Sequence, residues 1–224
     1  EAVEAVVVDV SGPAISIDPC DATNDTTPEL TGTTEPGSTV DVVVKDKAGN
    51  PVAQGPATVN PDGTWSFTPA TPLPEGEYAV EAVAKDDQGN PSNPAVEAFE
   101  VDTTAPVITI DPPVDTNDTT PELTGQVEPG STVDVVVKDK DGNPVAEGPA
   151  TVNPDGSWSF TPEIALPEGE FTVEATATDP AGNETEATPE SLVIDTTPPV
   201  ITIDPPVDTN DTTPELTGQV EPDS

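Results

Sequence analysis

The sequence contains no histidine, no arginine and only one cysteine among its 224 residues. Histidine is the side chain that most often acts as a general acid or base near neutral pH, so the usual catalyst of proton transfer is missing. The remaining carboxylates stand in loops beside turn residues, without the burial that tunes catalytic groups. We therefore expect that the chain is not an enzyme.

The cysteine count excludes a disulfide framework. Cys20 has no second thiol in the chain with which to form an intrachain bond. An extracellular protein without disulfides can be stabilised by a metal instead. The acidic loops also lack nitrogen and sulfur donors, which argues against zinc or copper and leaves cations that prefer oxygen.

Positive charge is scarce: five lysines stand against 44 acidic residues, and the formal net charge is −39. Binding to nucleic acid or to an anionic membrane requires a basic surface, so neither is an expected partner. No apolar stretch is long enough to insert into a bilayer, and no signal-peptide pattern opens the sequence. Acids at this density repel one another and oppose folding unless a cation neutralises them.

Aromatic residues make up only 3% of the chain, and few aromatics combined with high charge can indicate disorder. The apolar residues, however, alternate with polar ones in short β-branched runs. Thirty prolines and 16 glycines separate these runs and interrupt every window that could hold a helix. This pattern is typical of short β-strands joined by turns.

The chain is built from a repeat of 93 residues. The string NDTTPELTG begins at residues 24, 117 and 210. This period is too long for a solenoid unit and matches a small domain. We predict the end of a preceding repeat, two complete domains and a partial third, at 1–8, 9–102, 103–195 and 196–224. The sequence begins and ends within the pattern, so we expect it to be a piece of a longer polypeptide.

Each repeat carries signals for seven short strands. In the second repeat they fall at 107–110, 121–127, 132–138, 144–152, 157–161, 170–178 and 187–194. Seven strands in a repeat of this length predict an all-β fold of tandem immunoglobulin-like β-sandwich domains, end to end. Alternation places Val40, Val42 and Val44 on an inner face, opposite Asp41 and Lys45. The core is thin, so each domain is expected to need added stabilisation.

Oxygen-bearing side chains from several loops are predicted to meet where successive domains join. Threading the chain through seven strands places the EPGS and DPAGN loops at the entry end of a domain, next to the VDTTAP linker. Calcium binds six to eight oxygens in a forgiving geometry. The predicted calcium ligands are Asp102, Glu128, Asp179 and Asn183 at one junction, Asp9, Glu35, Asp86 and Asn90 one repeat earlier, and Asp195 and Glu221 at the third.

These residues also have a simpler interpretation, because aspartate before a turn glycine often only forms the turn. Asn24 and Asn117, each followed by Asp-Thr-Thr-Pro, are weaker ligand candidates for this reason. Asp141 is weaker still, since Ala48 replaces it in the first repeat. We interpret the DKDGN string around Asp141 as a hairpin turn.

The strings TGTTEPGSTVDVVV, PDGTWSFTP and EYAVEAVAKDDQGN, with the linker VDTTAPVITI, resemble bacterial Ig-like domains. In particular they resemble the extender repeats of giant repeats-in-toxin adhesins, a family that includes biofilm adhesins. The resemblance implies a stalk on the bacterial cell surface, secreted by a type I system, with calcium stiffening the links between domains. It also implies that Asp102, Glu128, Asp179, Asn183 and their counterparts are ligands. The first repeat departs by having DDQGN, which offers Asp86 or Asp87.

The function expected from these observations is that of a spacer. Such a structural extender would be extracellular and monomeric, with calcium and the neighbouring repeats of the same chain as its partners. The alternative is a repetitive adhesive module that binds glycan, or ice through threonine-rich faces. Loops that are short, acidic and repeated almost unchanged favour the spacer, because a dedicated receptor site would more often occur once.

Overall fold

The computed structural model describes residues 10–205, 208–210 and 212–221. Every helix or strand in this part of the chain is a β-strand, which confirms the predicted all-β class. None of the described residues belongs to a helix with the length and apolarity needed to cross a membrane. The strands form two sandwiches and one further two-stranded sheet.

The first sandwich consists of two antiparallel sheets of four strands each. Its strands are β1 (Ile15–Ile17), β2 (Leu30–Thr34), β3 (Thr39–Asp46), β4 (Pro51–Pro56), β5 (Thr58–Val59), β6 (Thr64–Phe67), β7 (Gly76–Lys85) and β8 (Ala95–Val101). One sheet has the order β1-β2-β6-β5, and the other has the order β4-β3-β7-β8.

The second sandwich repeats this arrangement, with its last strand in two pieces. Its strands are β9 (Ile108–Ile110), β10 (Leu123–Val127), β11 (Thr132–Asp139), β12 (Pro144–Pro149), β13 (Thr151–Val152), β14 (Ser157–Phe160), β15 (Gly169–Thr178), β16 (Glu184–Glu186) and β17 (Glu190–Ile194). One sheet is β13-β14-β10-β9. In the other, β12-β11-β15 continues with both β16 and β17 paired to β15.

Alternating valines form the core between the two sheets. Val40, Val42 and Val44 on β3 are each at most 1% exposed, which confirms the predicted inner face. Lys45 lies on the outer face, where its ammonium group pairs with the Glu81 carboxylate on the neighbouring strand β7 at 2.6 Å. The hydrophobic effect thus determines the register, because a shift by one residue would bury the charged face.

Each core also contains one tryptophan whose ring lies across a glycine. Trp158 is 1% exposed and pairs with Gly125 on the neighbouring strand β10. A Cβ atom at Gly125 would lie 2.6 Å from the indole ring, so only glycine permits this contact. The indole Nε1 donates a hydrogen bond of 3.1 Å to the Thr109 carbonyl on β9. The same arrangement joins Trp65, Gly32 and Ser16 in the first sandwich.

The described residues contain eight strands in the first repeat and nine in the second, so the predicted number of seven was wrong: one predicted strand is interrupted in each repeat, and β16 was not predicted. Residues 144–152 form β12 and β13, which pair with different sheets. The break follows Pro149, which has no N–H to continue the ladder, and the Ala150 N–H donates to the Val133 carbonyl at 2.8 Å. The last predicted strand, 187–194, is shorter than predicted, since β17 begins after Pro189, and β16 precedes the predicted range.

In the described residues of the partial third repeat, the strands are β18 (Ile201–Ile203) and β19 (Gly218–Val220), which pair antiparallel. Ile201 and Ile203 are 75% and 74% exposed, whereas Ile108 and Ile110 of the same ITI string are 8% and 7% exposed. The first two strands of a repeat therefore pair without the rest, but they gain their core only from the complete sandwich. The residue limits proposed for the domains stay a prediction.

Candidate metal centre at the junction between repeats

The DPAGN string of the second repeat forms a turn that its own aspartate and asparagine close. The Asp179 carboxylate accepts hydrogen bonds from the Asn183 backbone N–H at 2.9 Å and from Asn183 Nδ2 at 2.8 Å. The Gly182 N–H donates to the Asp179 carbonyl at 3.2 Å. Desolvation raises the pKa of Asp179, but the hydrogen bonds from Asn183 and from the Ala181 and Gly182 backbone together lower the pKa below its ordinary value.

The same D-x-x-G-N turn occurs four times, at 46–50, 86–90, 139–143 and 179–183. In the first repeat, Asp86 rather than Asp87 accepts the bonds from Asn90, at 2.8 Å from both nitrogens. In the DKDGN string, Asp139 accepts from the Asn143 N–H at 2.9 Å. This geometry confirms that DKDGN is a hairpin turn.

Asp102, Asp179 and Asn183 come together at the junction of the two sandwiches. Asn183 Nδ2 donates to the Asp102 carbonyl oxygen at 2.9 Å while it also bonds Asp179. The Asp102 N–H donates to the Thr23 carbonyl of the first sandwich at 3.0 Å. One Asp102 carboxylate oxygen accepts the Thr104 N–H at 2.9 Å. The linker residue Asp102 thus contacts both domains through its backbone.

Glu35 and Asp86 share a cleft at the entry end of the first repeat, as predicted. The cleft has a volume of about 340 Å³, and Ser11, Gly12 and Asp87 also line it. Glu35 accepts a hydrogen bond from the Ala14 N–H at 3.1 Å. The cleft therefore places carboxylates of two loops beside the segment that enters the domain.

The remaining predicted ligands make fewer contacts with the other predicted ligands. Glu128 lies at the same entry end of the second repeat, where its N–H donates to the Val107 carbonyl at 3.0 Å. Asp195 accepts the Thr197 N–H at 2.9 Å, and Glu221 accepts the Val200 N–H at 3.2 Å. Asp9 lies outside the described residues.

Asn24 makes two contacts at the junction that were not predicted from the sequence. Asn24 in the loop between β1 and β2 donates its N–H to the Ala181 carbonyl at 3.0 Å and its Nδ2 to the Gly182 carbonyl at 2.9 Å. Its neighbour Asp25 forms a turn, accepting the Thr27 N–H at 2.8 Å. The sequence signal was the string NDTT, which we interpreted mainly as a turn.

A glutamate also holds the linker onto the preceding domain. Glu75 accepts hydrogen bonds from the hydroxyls of Thr104 at 2.8 Å and Thr103 at 3.1 Å. These two bonds lower the pKa of Glu75 below its ordinary value. Glu168 holds Thr196 and Thr197 in the same way one repeat later. The sequence feature that could have indicated these contacts is the P-E-G-E string, which occurs in both repeats.

The junction fits calcium by the chemistry of its donors, because every side-chain and carbonyl donor there is oxygen. Its carboxylates are not densely clustered: among the described residues, no three or more Asp, Glu, His or Cys side chains lie close enough to hold a metal ion. Backbone carbonyls would therefore supply part of the ligand set. Asn183 could serve as a ligand only if its amide turned to present Oδ1 instead of Nδ2 to the ion.

The family model described as "Bacterial Ig-like domain" matches residues 16–103 and 114–196, which is more than half of the chain. The chain belongs to the bacterial Ig-like domain family. Each matched range spans most of one sandwich, so the observed β-sandwich fold is the one expected for this family of Ig-like repeats. The resemblance to bacterial Ig-like domains is confirmed.

Several solved structures are similar to these Ig-like repeats. A tetra-tandem repeat in the extending region of a large adhesion protein is 33% identical, covers 92% of this chain and 55% of its own, and has a TM-score of 0.41. The BSP domain of a biofilm-associated protein is 25% identical, with coverages of 84% and 30% and a TM-score of 0.30. A 1.5-MDa bacterial ice-binding adhesin is 19% identical, with coverages of 86% and 68% and a TM-score of 0.44.

The Ig-like repeats described here span about half the length of the tetra-tandem repeat and less than a third of the biofilm-associated chain. None of the curated proteins compared with the sequence matches it.

Because the turn aspartates accept hydrogen bonds as carboxylates, we expect acid to lower the stability of the folded chain. Hydrogen bonds from the Asn143 backbone and side chain lower the pKa of Asp139 below its ordinary value of 3.8. A lowered folded-state pKa contributes stability above the unfolded pKa, and this contribution is lost as the pH falls through the folded pKa. In Asp139→Asn, we expect a lower Tm than wild type at about pH 6 and a difference that shrinks below about pH 3.

Thermal unfolding followed by circular dichroism across this pH range measures the effect. Asp141→Asn is the matched control, since it removes the same charge from the same turn but no hydrogen bond to Asn143. Parallel Tm profiles of wild type and Asp139→Asn would contradict the role of the Asp139 carboxylate.

Proposed function

We propose that this chain is a structural extender, a spacer segment of a large bacterial cell-surface adhesin whose junctions are stiffened by calcium. The observation that carries the proposal is the linker at residues 102–104, which both sandwiches hold. Glu75 and Thr23 bind it from the first sandwich, and Asn183 binds it from the second. Membership in the bacterial Ig-like family and similarity to the extending region of a large adhesion protein support the same role.

Calcium would be held at the junction by Asp102, Glu128, Asp179 and linker carbonyls. When bound, the ion supplies positive charge that offsets the repulsion among these acids. The chain itself positions the ligands: the D-x-x-G-N turn fixes Asp179, and the Thr23 carbonyl fixes the backbone of Asp102. The junction then holds a fixed angle, and the string of domains behaves as a rod.

Calorimetric unfolding with calcium and with EDTA tests metal binding. For an affinity typical of extracellular sites, about 10 mM calcium is expected to stabilise the chain by about 1.5–3 kcal/mol. Asp102→Asn keeps the hydrogen-bond acceptor for Thr104 but removes the charge, and it should lose most of this gain. Asp141→Asn, which lies in a hairpin turn away from the linker, should keep it. A Tm that calcium leaves unchanged would contradict the calcium proposal.

The structure offers no support for the alternative of a repeated ice-binding face. The outer face of β15 carries Thr172 and Thr176, but the matching positions on β7 are Ala79 and Val83. On this face, a threonine array therefore does not continue from one repeat to the next. A glycan array and an ice-recrystallisation assay on the whole chain check the adhesive alternative, and binding in either would count against a pure spacer.

We also propose that the adhesin belongs to the repeats-in-toxin class, that a type I system secretes it and that the chain is monomeric. An extracellular location agrees with the adhesins that it resembles. A strongly acidic chain without a basic patch is also suited to remain soluble and separate from anionic surfaces.

A further inference from the structure

The loop that contains Asn24 is built as a rigid surface at the exit end of the first sandwich. The Thr23 N–H donates to the Glu100 carbonyl on β8, and the Thr23 carbonyl accepts the Asp102 N–H, both at 3.0 Å. The Asp25 N–H then donates to the Thr23 hydroxyl at 3.1 Å. These bonds hold Asn24 in place between two anchored neighbours, and its two donors face the next domain.

The surface that Asn24 meets is complementary in chemistry. The D-x-x-G-N turn uses the Asp179 carbonyl and the Gly182 N–H internally, which leaves the Ala181 and Gly182 carbonyls directed outward. Asn24 donates to both of these consecutive carbonyls, once from its backbone and once from its amide. Asparagine suits this position because aspartate has the same shape but cannot donate from its side chain.

The second sandwich presents the same surface at its own exit end. Thr116 repeats the bonds of Thr23, with its N–H donating to Val193 at 3.1 Å and its carbonyl accepting from Asp195 at 2.9 Å. Asn117 is exposed, and within the described residues it makes no hydrogen bond. Residues 196–224 contain no D-x-x-G-N string that could reach it.

We propose that Asn24 and Asn117 are docking residues, each of which recognises the D-x-x-G-N loop at the entry end of the repeat that follows. This inference rests on the proposed spacer function, in which the angle between domains matters. Two exposed hydrogen bonds are individually weak, so the ion supplies attraction and Asn24 supplies geometry. The partner that fits Asn117 is the corresponding loop of another bacterial Ig-like repeat.

Amide hydrogen exchange on the whole chain tests the docking contact with an internal control. Asn24 and Asn117 both stand between Thr and Asp, so their intrinsic exchange rates are the same. In calcium, the backbone amide of Asn24 is expected to exchange about tenfold or more slowly than that of Asn117, because it donates across the junction. Equal rates in calcium would overturn the proposal.

The exchange ratio also separates this proposal from calcium stiffening. A ratio that falls when EDTA is added agrees with both proposals. A ratio that stays high in EDTA keeps the docking role of Asn24 and contradicts stiffening by calcium. A ratio near one in calcium, combined with a calcium-dependent change in the overall dimensions of the chain, removes the docking role and leaves the spacer function intact.

A pair of isosteric variants gives a second readout. Asn24→Asp replaces the amide donor by a carboxylate that faces the Gly182 carbonyl, and Asn117→Asp makes the same change at the matching position of the second sandwich. Residual dipolar couplings in calcium should fit one shared alignment for both sandwiches in wild type and Asn117→Asp, and separate alignments in Asn24→Asp. A shared alignment in Asn24→Asp would contradict the docking role.

Discussion

Replacing Trp158 by alanine is expected to lower the free energy of unfolding of the second repeat by about 3–5 kcal/mol. The ring is 1% exposed and is the largest buried side chain of a core that otherwise contains aliphatic residues with Phe160 and Phe171. The loss removes both its buried apolar surface and the hydrogen bond from Nε1 to the Thr109 carbonyl. For a domain of this size, each kcal/mol corresponds to a Tm change of about 4–8 °C.

Tryptophan fluorescence can report each sandwich separately, because each sandwich contains one tryptophan. In Trp158→Ala, the remaining fluorescence comes from Trp65 and reports the first repeat, while circular dichroism reports both. We expect two separate transitions, with the fluorescence transition near its wild-type temperature. Trp65→Ala should give the mirror result. A single transition shifted for both probes would mean that the sandwiches do not unfold as independent units.

Gly125→Ala is expected to destabilise the second repeat by about 3 kcal/mol, at the upper end of typical overpacking costs. The added Cβ would lie 2.1 Å from the Thr109 carbonyl oxygen and 2.6 Å from the Trp158 ring. The first of these atoms is backbone and cannot move aside as a flexible side chain would. The substitution therefore forces β9 or the tryptophan away from its position and weakens both.

Chemical denaturation of Gly125→Ala, followed by Trp158 and Trp65 fluorescence, measures this cost. Gln126→Ala is the control, because Gln126 is the next residue on β10 and is exposed. Its midpoint should stay close to wild type. A stability of Gly125→Ala within about 0.5 kcal/mol of wild type, the range of ordinary surface changes, would show that the core is less tightly packed around the glycine than the structure indicates.

Much of the fold could be predicted because the strands alternate strongly. The valines of β3 specify one register, and the 93-residue period carries that result to the next domain. Pro149 was a sequence signal for an interruption, since proline cannot donate to a ladder, but the apolar alternation on both sides of it predicted one continuous strand. Only the pairing of β12 with β11 and of β13 with β14 reveals the change of sheet.

The candidate site was predictable to a smaller extent. The proximity of Asp102, Asp179 and Asn183 could be predicted, since strand order determines which loops share an end of a sandwich. The contact of Asn24 with the Gly182 carbonyl depends instead on how two domains are oriented, and a single-domain pattern does not contain that information. The set of atoms that would bind the metal also depends on this orientation, so the metal ligands stay a prediction.

Small-angle X-ray scattering of the whole chain, in calcium and in EDTA, tests the stiffened spacer most directly. Held at the linker from both sides, the two sandwiches are predicted to give a longer maximum dimension and a narrower distance distribution in calcium. Once the ion is removed, repulsion between the facing acids should let the second domain swing relative to the first. Identical scattering in both conditions would contradict a calcium-stiffened rod.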